Sequence, residues 1–507
     1  MKAIKSFSSI LFFSILAQIF LMIKSIFLAS WFGTSNIMDS FNVANLLTIS
    51  LFTILSSAIS TILIPEMIKL FDRNEDFYEL NDGIVTYVFS LFFLSFFFVL
   101  IFLIFGKTIV SFFLTSIINK NIVSLTYQLS IVLLFGQIFK LLSTVIMSLL
   151  QAENHFTFPK FSAFVAALFP VFIFLMIGKV DIKIITLIIG FSFIIEALLN
   201  YIYIINHNRL RMRIVFKSKN KYFQSMFSNT IPIIISSAVY QLSILINNLV
   251  ISFFGEGYVS TLNYSNQILS IVQALLITNI MQFFYPSIAK SFKVSFSDGI
   301  DIVTKISTVS NAILIPISIG FLGLGKELIA LLFQRGNFYL QDTKNVFFMS
   351  IILFMGIPIN TLRDFIYRIF YSKSITRIPA KNSVFVIVLT IILSISFLPF
   401  FGEYSAVLSP VVASFISLIN IYNKLLKEFP FRYNFREFLL RQSKIVLSSL
   451  LMLTVLLMSK SKIYNLFNSN LLSFAFVLLI AVIAYFILLM IFDKRILKDL
   501  KGIARLF

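Results

Sequence analysis

The chain of 507 residues is 59% hydrophobic and 12% charged, with a mean hydropathy of +0.98 and a net charge of +20. A soluble domain cannot bury that much apolar surface, whereas about 20 apolar residues are enough for one helical membrane span. The sequence therefore predicts an all-α polytopic membrane protein. It contains no cysteine, and His155 and His207 are far apart, so we predict neither a disulfide nor a metal site.

Apolar segments separated by polar or Gly/Pro breaks predict fourteen transmembrane helices in chain order. Those of the first half lie near residues 7–32, 39–66, 85–105, 127–150, 161–178, 184–205 and 229–254. Those of the second half lie near residues 260–288, 304–324, 346–371, 383–400, 404–423, 442–459 and 471–492. The first run is too long for the core of a signal peptide, so we interpret it as a retained span.

Glycine and proline positions recur at a nearly constant separation of 219 to 222 residues. The matched pairs are Gly33 and Gly255, Pro65 and Pro286, Gly106 and Gly325, Gly136 and Gly356, and Pro159 and Pro379. This pattern predicts two pseudo-symmetric six-helix lobes, inserted in the same orientation, plus two extra C-terminal helices. We place the first lobe with its basic linker at residues 1–221, the second lobe at 222–430, and spans 13 and 14 with a basic tail at 431–507.

Basic residues concentrate in two segments that flank spans, His207–Lys221 and Lys424–Arg441. Because cytoplasmic loops carry an excess of Lys and Arg, both termini are expected in the cytoplasm. The same charges favour contact with anionic membrane lipids. Nucleic acid is the rival partner, but these segments border spans instead of coating a domain, so we expect no nucleic-acid binding.

Four stretches resemble the MurJ/MviN lipid II flippases, a family of the multidrug, oligosaccharidyl-lipid and polysaccharide exporter superfamily. They are "KSIFLASWFG" followed by Asp39, "PIIISSAVYQLSILINNLVISFFGEGYVSTLNYSNQ", "LLFQRGNF" and "FYSKSITRIPAKNSV". The resemblance implies fourteen helices, two lobes around a cationic central cavity, and a groove for the lipid tail beside spans 13 and 14. It also implies a bacterial inner-membrane protein that serves peptidoglycan biosynthesis, cell-wall biogenesis and cell shape.

Charges inside spans are costly, so each is a candidate for function. A transporter of lipid-linked sugar must shelter a saccharide and an anionic diphosphate from hydrocarbon, which cations and amides can do. Lys24 occupies a position where the family has a cavity arginine, and it lies deep for a snorkelling side chain. Arg363 is a second candidate without an obvious partner, because Asp364 can pair with Arg368 four residues on. Lys140 either binds substrate or pairs with Glu196.

Asp39 matches an acidic residue of the family motif, yet it also stands where a helix N-cap is needed. Two stripes of amides recur at equivalent places in the repeats and share helical faces. They comprise Asn42 and Asn45 in the first copy, and Asn263, Asn266 and Gln267 in the second. We expect these stripes to line a polar cavity, the alternative being hydrogen bonds that join helices. The predicted substrate-binding residues are thus Lys24, Asp39, Asn42, Lys140, Asn263, Asn266, Gln267 and Arg363, and none is catalytic.

Several positions depart from the family pattern. Gln18 and Gln267 replace arginines, and Leu51 and Phe52 replace a basic pair, so the cavity is less cationic than the resemblance implies. This leaves room for a polyprenyl-linked glycan other than lipid II.

These observations predict a flippase, not an enzyme, that moves an undecaprenyl-diphosphate-linked saccharide by alternating access. The absence of a Walker sequence points to no nucleotide and no bound cofactor, with energy from the membrane potential or a monovalent cation. One alternative is a cation-coupled multidrug exporter of the same superfamily, although such a protein would favour acidic intramembrane residues. Another is a non-transporting scaffold that binds glycan-synthesis enzymes. A glycosyltransferase would need an acidic pair or a metal site on an outward loop.

Overall fold

The computed structural model describes residues 2–71, 77–114, 120–206, 215–373, 375–429, 435–467, 469–496 and 499, and the regular elements in these ranges are helices. The helices of the first half are α1 (Lys2–Phe32), α2 (Asn36–Phe71), α3 (Phe77–Phe113), α4 (Lys120–Ala152), α5 (Thr157–Ile177), α6 (Ile182–Asn206) and α7 (Lys221–Ser252). Those of the second half are α8 (Tyr258–Val272), α9 (Thr278–Val294), α10 (Phe296–Phe333), α11 (Leu340–Ser372), α12 (Arg377–Ser396), α13 (Leu398–Phe401), α14 (Ser405–Glu428), α15 (Phe435–Leu466) and α16 (Asn470–Phe492).

Thirteen helices among the described residues are long and apolar enough to cross a membrane. The remaining predicted span, 260–288, is present as α8, a π-helix at Gln273–Ile277 and α9 in succession. The two α-helical parts have 15 and 17 residues, so neither crosses the membrane alone. The predicted span 260–288 is therefore helical throughout, and only its π-helical segment was not foreseen, because a π-helix changes the hydrogen-bonding register without changing the hydropathy.

The first compact unit covers Met1–Ser260. In it, α4 packs between α2 and α6, and α1 lies against α5. Helix α7 packs on α2 and α3, although the repeat places it at the start of the second copy. Two hydroxyl pairs fix it there, Tyr87 with Thr230 at 2.8 Å and Ser57 with Ser237 at 2.7 Å. The lobe boundaries predicted at 221 and 430 describe the duplicated sequence, and they stay predictions.

The second compact unit covers Thr261–Phe507. Helix α10 packs on α9, α11 and α15, while α14 packs on α11 and α12. One apolar cluster joins α9, α10, α11 and α14, and another joins α10 to the hairpin of α15 and α16. The two extra C-terminal helices are therefore attached to the unit through α10.

Two of the matched glycine pairs have the same structural role in both copies. Gly33 and Gly255 follow the first helix of each copy and have positive φ angles of 58° and 108°, which a residue without Cβ adopts most easily. Gly136 allows α4 to approach α6 closely, since an added Cβ would lie 3.1 Å from Gly190. Gly356 does the same for α11 and α14, where the added atom would lie 3.1 Å from Val411. These contacts account for the recurrence of glycine.

The predicted basic segments fall partly outside the described residues. Residues 207–214 of the first, 430–434 of the second and most of the tail beyond 496 are not described. The end of the first segment is held against α3, where Lys217 pairs with Asp82 at 2.7 Å and Lys221 with Glu79 at 3.2 Å. Part of the positive charge of this linker is therefore neutralised by acidic residues of the first unit.

Candidate functional site

Lys24 is a charged residue within the apolar helix α1. The side chain is half-buried, and no hydrogen bond or ion pair joins it to another of the described residues. A cation in a membrane span is retained only at a free-energy cost, which a bound anion can offset. Lys24 is therefore available for an anionic ligand, as the sequence predicted, although binding itself remains a prediction.

Asp39 lies in the first turn of α2 and is 1% exposed. Its carboxylate accepts hydrogen bonds from the backbone N–H of Gly257 at 2.6 Å and of Ser260 at 2.7 Å, and from the Ser260 hydroxyl. These N–H groups belong to the start of α8, so Asp39 caps that helix and not its own. Both carboxylate oxygens are thus occupied, and we leave Asp39 out of the proposed site.

The start of α2 receives a similar contact in return. The carboxylate of Glu256, in the turn between α7 and α8, accepts a hydrogen bond from the Asn36 N–H at 3.0 Å. The two turns touch so closely that a Cβ at Gly257 would overlap the Thr34 carbonyl oxygen. Each copy of the repeat therefore supplies an anion to the N-terminus of the other copy's second helix, where the helix dipole favours negative charge. We call this arrangement the reciprocal caps.

The two amide stripes differ in exposure. Asn42 is buried, and its Nδ2 donates to the Ser260 hydroxyl at 3.1 Å. This hydrogen bond joins α2 to α8, which was the alternative to lining a cavity. Asn45 is half-buried. On α8, Asn263 and Gln267 are half-buried and Asn266 is exposed, on one face of the helix. The second stripe is therefore more exposed than Asn42, and its lining of a polar cavity stays a prediction.

Lys140 on α4 is paired with Glu196 on α6. Its Nζ lies 2.6 and 2.5 Å from the two carboxylate oxygens, and the side chains are 36% and 3% exposed. Ser143 also donates to Glu196, at 3.4 Å, and receives a hydrogen bond from Asn200. Of the two roles that the sequence left open for Lys140, the structure thus places it in the ion pair, and its role in binding stays untested.

Arg363 on α11 has partners that the sequence did not reveal. Its Nη1 donates to the Ser414 hydroxyl at 3.3 Å, its Nη2 lies 3.7 Å from Asp364, and its guanidinium lies over the ring of Tyr367. The expectation that Arg363 lacks an obvious partner was therefore wrong, because the neighbouring Asp364 reaches it. Its charge is shared with a carboxylate before any substrate arrives.

Two polar clusters at equivalent places escaped the sequence analysis. In the first copy, Asn200 accepts from Ser162 at 2.9 Å. In the second, Asn382 donates to Ser417 at 2.7 Å and accepts from Asn420 at 2.8 Å. Asn200 and Asn420 are 220 residues apart, as are Ser162 and Asn382. The repeat offset, applied to polar residues as well as to Gly and Pro, would have identified them.

The positions that lack the family's basic residues differ in exposure. Phe52 is 2% exposed and packs inside the first unit, while Gln18 and Leu51 are half-buried. A basic side chain at position 52 would therefore not be accommodated in this arrangement. Among the described residues no group of three or more His, Asp or Glu could hold a metal ion.

Comparison with known proteins identifies relatives of this chain. The chain is 26% identical over 484 residues to a probable lipid II flippase MurJ of Buchnera aphidicola subsp. Baizongia pistaciae, covering 92% of this chain and 91% of that protein. A probable lipid II flippase MurJ of Rickettsia prowazekii is 27% identical over 213 residues, which is 40% of this chain and 41% of that protein.

Solved structures show the same fold. A lipid II flippase MurJ in an inward closed conformation superposes with a TM-score of 0.80 at 20% identity, covering 96% of this chain and 99% of that chain. An inward-facing multidrug resistance MATE family transporter of the MOP superfamily gives a TM-score of 0.59 at 12% identity, covering 80% of this chain and 93% of that chain. The family model of the lipid II flippase MurJ matches residues 28–485, which is nearly the whole chain. The chain therefore belongs to the lipid II flippase MurJ family.

Proposed function

We propose that this protein transports an undecaprenyl-diphosphate-linked saccharide, lipid II or a related cell-envelope glycan precursor, from one leaflet of the membrane to the other. Family membership over nearly the whole chain carries the proposal. The ammonium of Lys24, which has no partner within the part of the chain that the structure describes, supports it, because a diphosphate is the anionic part of such a lipid. The amides on the accessible face of α8 can bind sugar hydroxyls.

The transport mechanism that we propose is alternating access. The two repeats rock so that the binding site opens to one side of the membrane and then to the other. The chain contains no Walker sequence, so the membrane potential or a monovalent cation supplies the energy. Collapse of the membrane potential should then slow transport, whereas the protein itself needs no bound ATP.

We place the protein in the bacterial inner membrane with both termini in the cytoplasm. The basic linker and the basic segment before α15 would then lie on the cytoplasmic side, next to anionic lipid headgroups. A further proposal is that enzymes of glycan synthesis bind the protein there, close to the supply of substrate.

Complementation tests the substrate. The gene is expressed in a strain depleted of its lipid II flippase, and labelled lipid II exposed on the outer leaflet is measured. We expect growth and lipid II exposure to recover in part, since Gln18 and Gln267 replace arginines that would bind phosphate. The reference is the native flippase, expressed to the same level in the membrane.

Failure of a well-expressed protein in both assays would exclude lipid II. Transport of another undecaprenyl-diphosphate-linked sugar would then retain the proposed class of substrate. Failure with every lipid-linked sugar would overturn the proposed function.

A further inference from the structure

The two copies of the repeat carry equivalent seams between helices, α4 with α6 in the first and α11 with α14 in the second. Each seam starts at a glycine that allows close approach, Gly136 or Gly356. Polar residues follow on the next turns of both copies. They are Lys140 and Ser143 on α4, and Asn360 and Arg363 on α11, separated by 220 residues. The same position in the fold is therefore polar in both copies.

The first seam satisfies its own polar groups. Glu196 receives both the ammonium of Lys140 and the hydroxyl of Ser143. Among the described residues of α4, α5 and α6, no buried side-chain nitrogen or oxygen lacks a hydrogen-bond partner. The described residues of this seam therefore need no ligand to complete their hydrogen bonds.

In the helices of the second seam, four buried side-chain atoms lack a hydrogen-bond partner among the described residues: Ser350 Oγ, Asn360 Oδ1 and Arg363 Nε on α11, and Ser405 Oγ on α14. Oδ1 of Asn360 and Nε of Arg363 are buried, and neither has a hydrogen-bond partner among the described residues. The two residues are three apart on α11, so their side chains are neighbours on one face. Arg363 reaches Ser414 on α14, and Nδ2 of Asn360 lies 3.6 Å from where a Cβ of Gly356 would stand, beside Val411.

A carboxylate lies beside this pair. Asp364 lies 3.7 Å from the Arg363 guanidinium and is 40% exposed, while Arg363 is 17% exposed. A phosphate has acceptors only, so it would leave Asn360 Oδ1 unpaired and would meet the charge of Asp364. A group that donates and accepts at once would satisfy both orphan atoms, and a sugar hydroxyl or acetamido substituent is such a group.

We propose that the α11–α14 seam binds a hydroxyl or acetamido group of the saccharide, between Oδ1 of Asn360 and Nε of Arg363. This inference rests on the proposed function and deepens it. It assigns the neutral sugar to the seam and the diphosphate to Lys24. Both seam atoms are closed to solvent in this conformation, so the seam must part to admit the sugar.

Binding by the purified full-length protein in lipid nanodiscs tests the assignment. Two probes are compared, undecaprenyl diphosphate and the same lipid carrying one N-acetylated sugar. We expect the wild type to bind the sugar-bearing lipid about tenfold more tightly, the contribution of one well-paired neutral group. Asn360→Leu removes the acceptor, and Arg363→Lys keeps the charge while removing Nε. Each should bring the ratio close to one.

Asn345→Leu is the matched control, since this amide lies on the same helix and its Oδ1 already accepts from Gln341 at 3.1 Å. It should keep the wild-type ratio. If Asn360→Leu lowers the thermal midpoint, Arg363→Lys still decides the question. An unchanged ratio in Arg363→Lys would mean that the seam holds water, and would overturn the sugar subsite alone. A wild type that binds neither lipid would overturn the proposed function together with it.

Discussion

Lys24 and Asp39 are charged residues on either side of the first interhelical turn, and the structure gives them opposite surroundings. Lys24 is half-buried without a partner among the described residues, whereas Asp39 is buried under three hydrogen bonds. The sequence indicated both as candidate ligands, Lys24 as a charge within a span and Asp39 by its match to the family motif. It could not separate them, since the partners of Asp39 lie about 220 residues away along the chain.

Removing the charge of Lys24 should abolish most of the transport. We expect Lys24→Ala to lower exposure of labelled lipid II at least tenfold, because a charge-assisted bond to phosphate contributes about 1.5–3 kcal/mol. Lys24→Arg should keep most of the activity, since the charge persists. Lys183→Ala, which removes an exposed lysine of α6, serves as the control at equal membrane level. Normal flipping by Lys24→Ala would remove this residue from the site.

The reciprocal caps should contribute unequally to stability. Asp39→Ala leaves two backbone N–H groups of α8 without their acceptor in a buried place, so we expect a loss of about 2–3 kcal/mol. Glu256 is exposed, and water can replace it, so Glu256→Ala should cost only a few tenths of a kcal/mol. Thermal midpoints of the two variants in detergent measure the difference. Equal midpoints would contradict the structural role given to Asp39.

At the scale of helices, hydropathy predicted where the spans lie and missed how one of them is built. The predicted span 260–288 lies inside Tyr258–Val294, but a π-helix divides it. Apolar side chains determine that a segment enters the membrane, and they are the same in an α-helix and in a π-helix. Most pairings between helices were also beyond the sequence; the pair of Lys140 with Glu196, which it left open as an alternative, is an exception.

The ion pair between α4 and α6 offers a test at this scale. Lys140→Met leaves Glu196 as an uncompensated buried charge and should destabilise the protein by about 2–3 kcal/mol. The loss is smaller than for a fully buried pair because Lys140 is 36% exposed. The double variant Lys140→Met, Glu196→Leu should regain most of that loss. Thermal midpoints of both single variants and the double variant give the coupling.

Lipid II exposure, measured in the double variant, separates structure from binding. Retained transport would show that Lys140 serves the helix pair. Loss of transport from a stable double variant would return Lys140 to the binding site.

At the scale of the whole molecule, the duplicated sequence predicts how the protein crosses the membrane. Reporter fusions after Lys221 and Arg441 should report a cytoplasmic position, and fusions after Gly255 and Glu403 an external one, because basic loops stay inside. The contact between the α1–α2 and α7–α8 turns agrees with copies that enter in the same orientation. A reversed reporter at any of the four positions would overturn the repeat assignment.

The packing of α7 on α2 and α3 has a consequence for the history of the gene. A chain cut at the duplication boundary, after Lys221, would separate Thr230 from Tyr87 and Ser237 from Ser57, and would leave the N-terminus of α8 without Asp39. Neither half would then be complete as a folding unit. If the repeat reflects a duplication, each copy has since come to depend on residues of the other, and we expect that the two halves expressed separately do not fold.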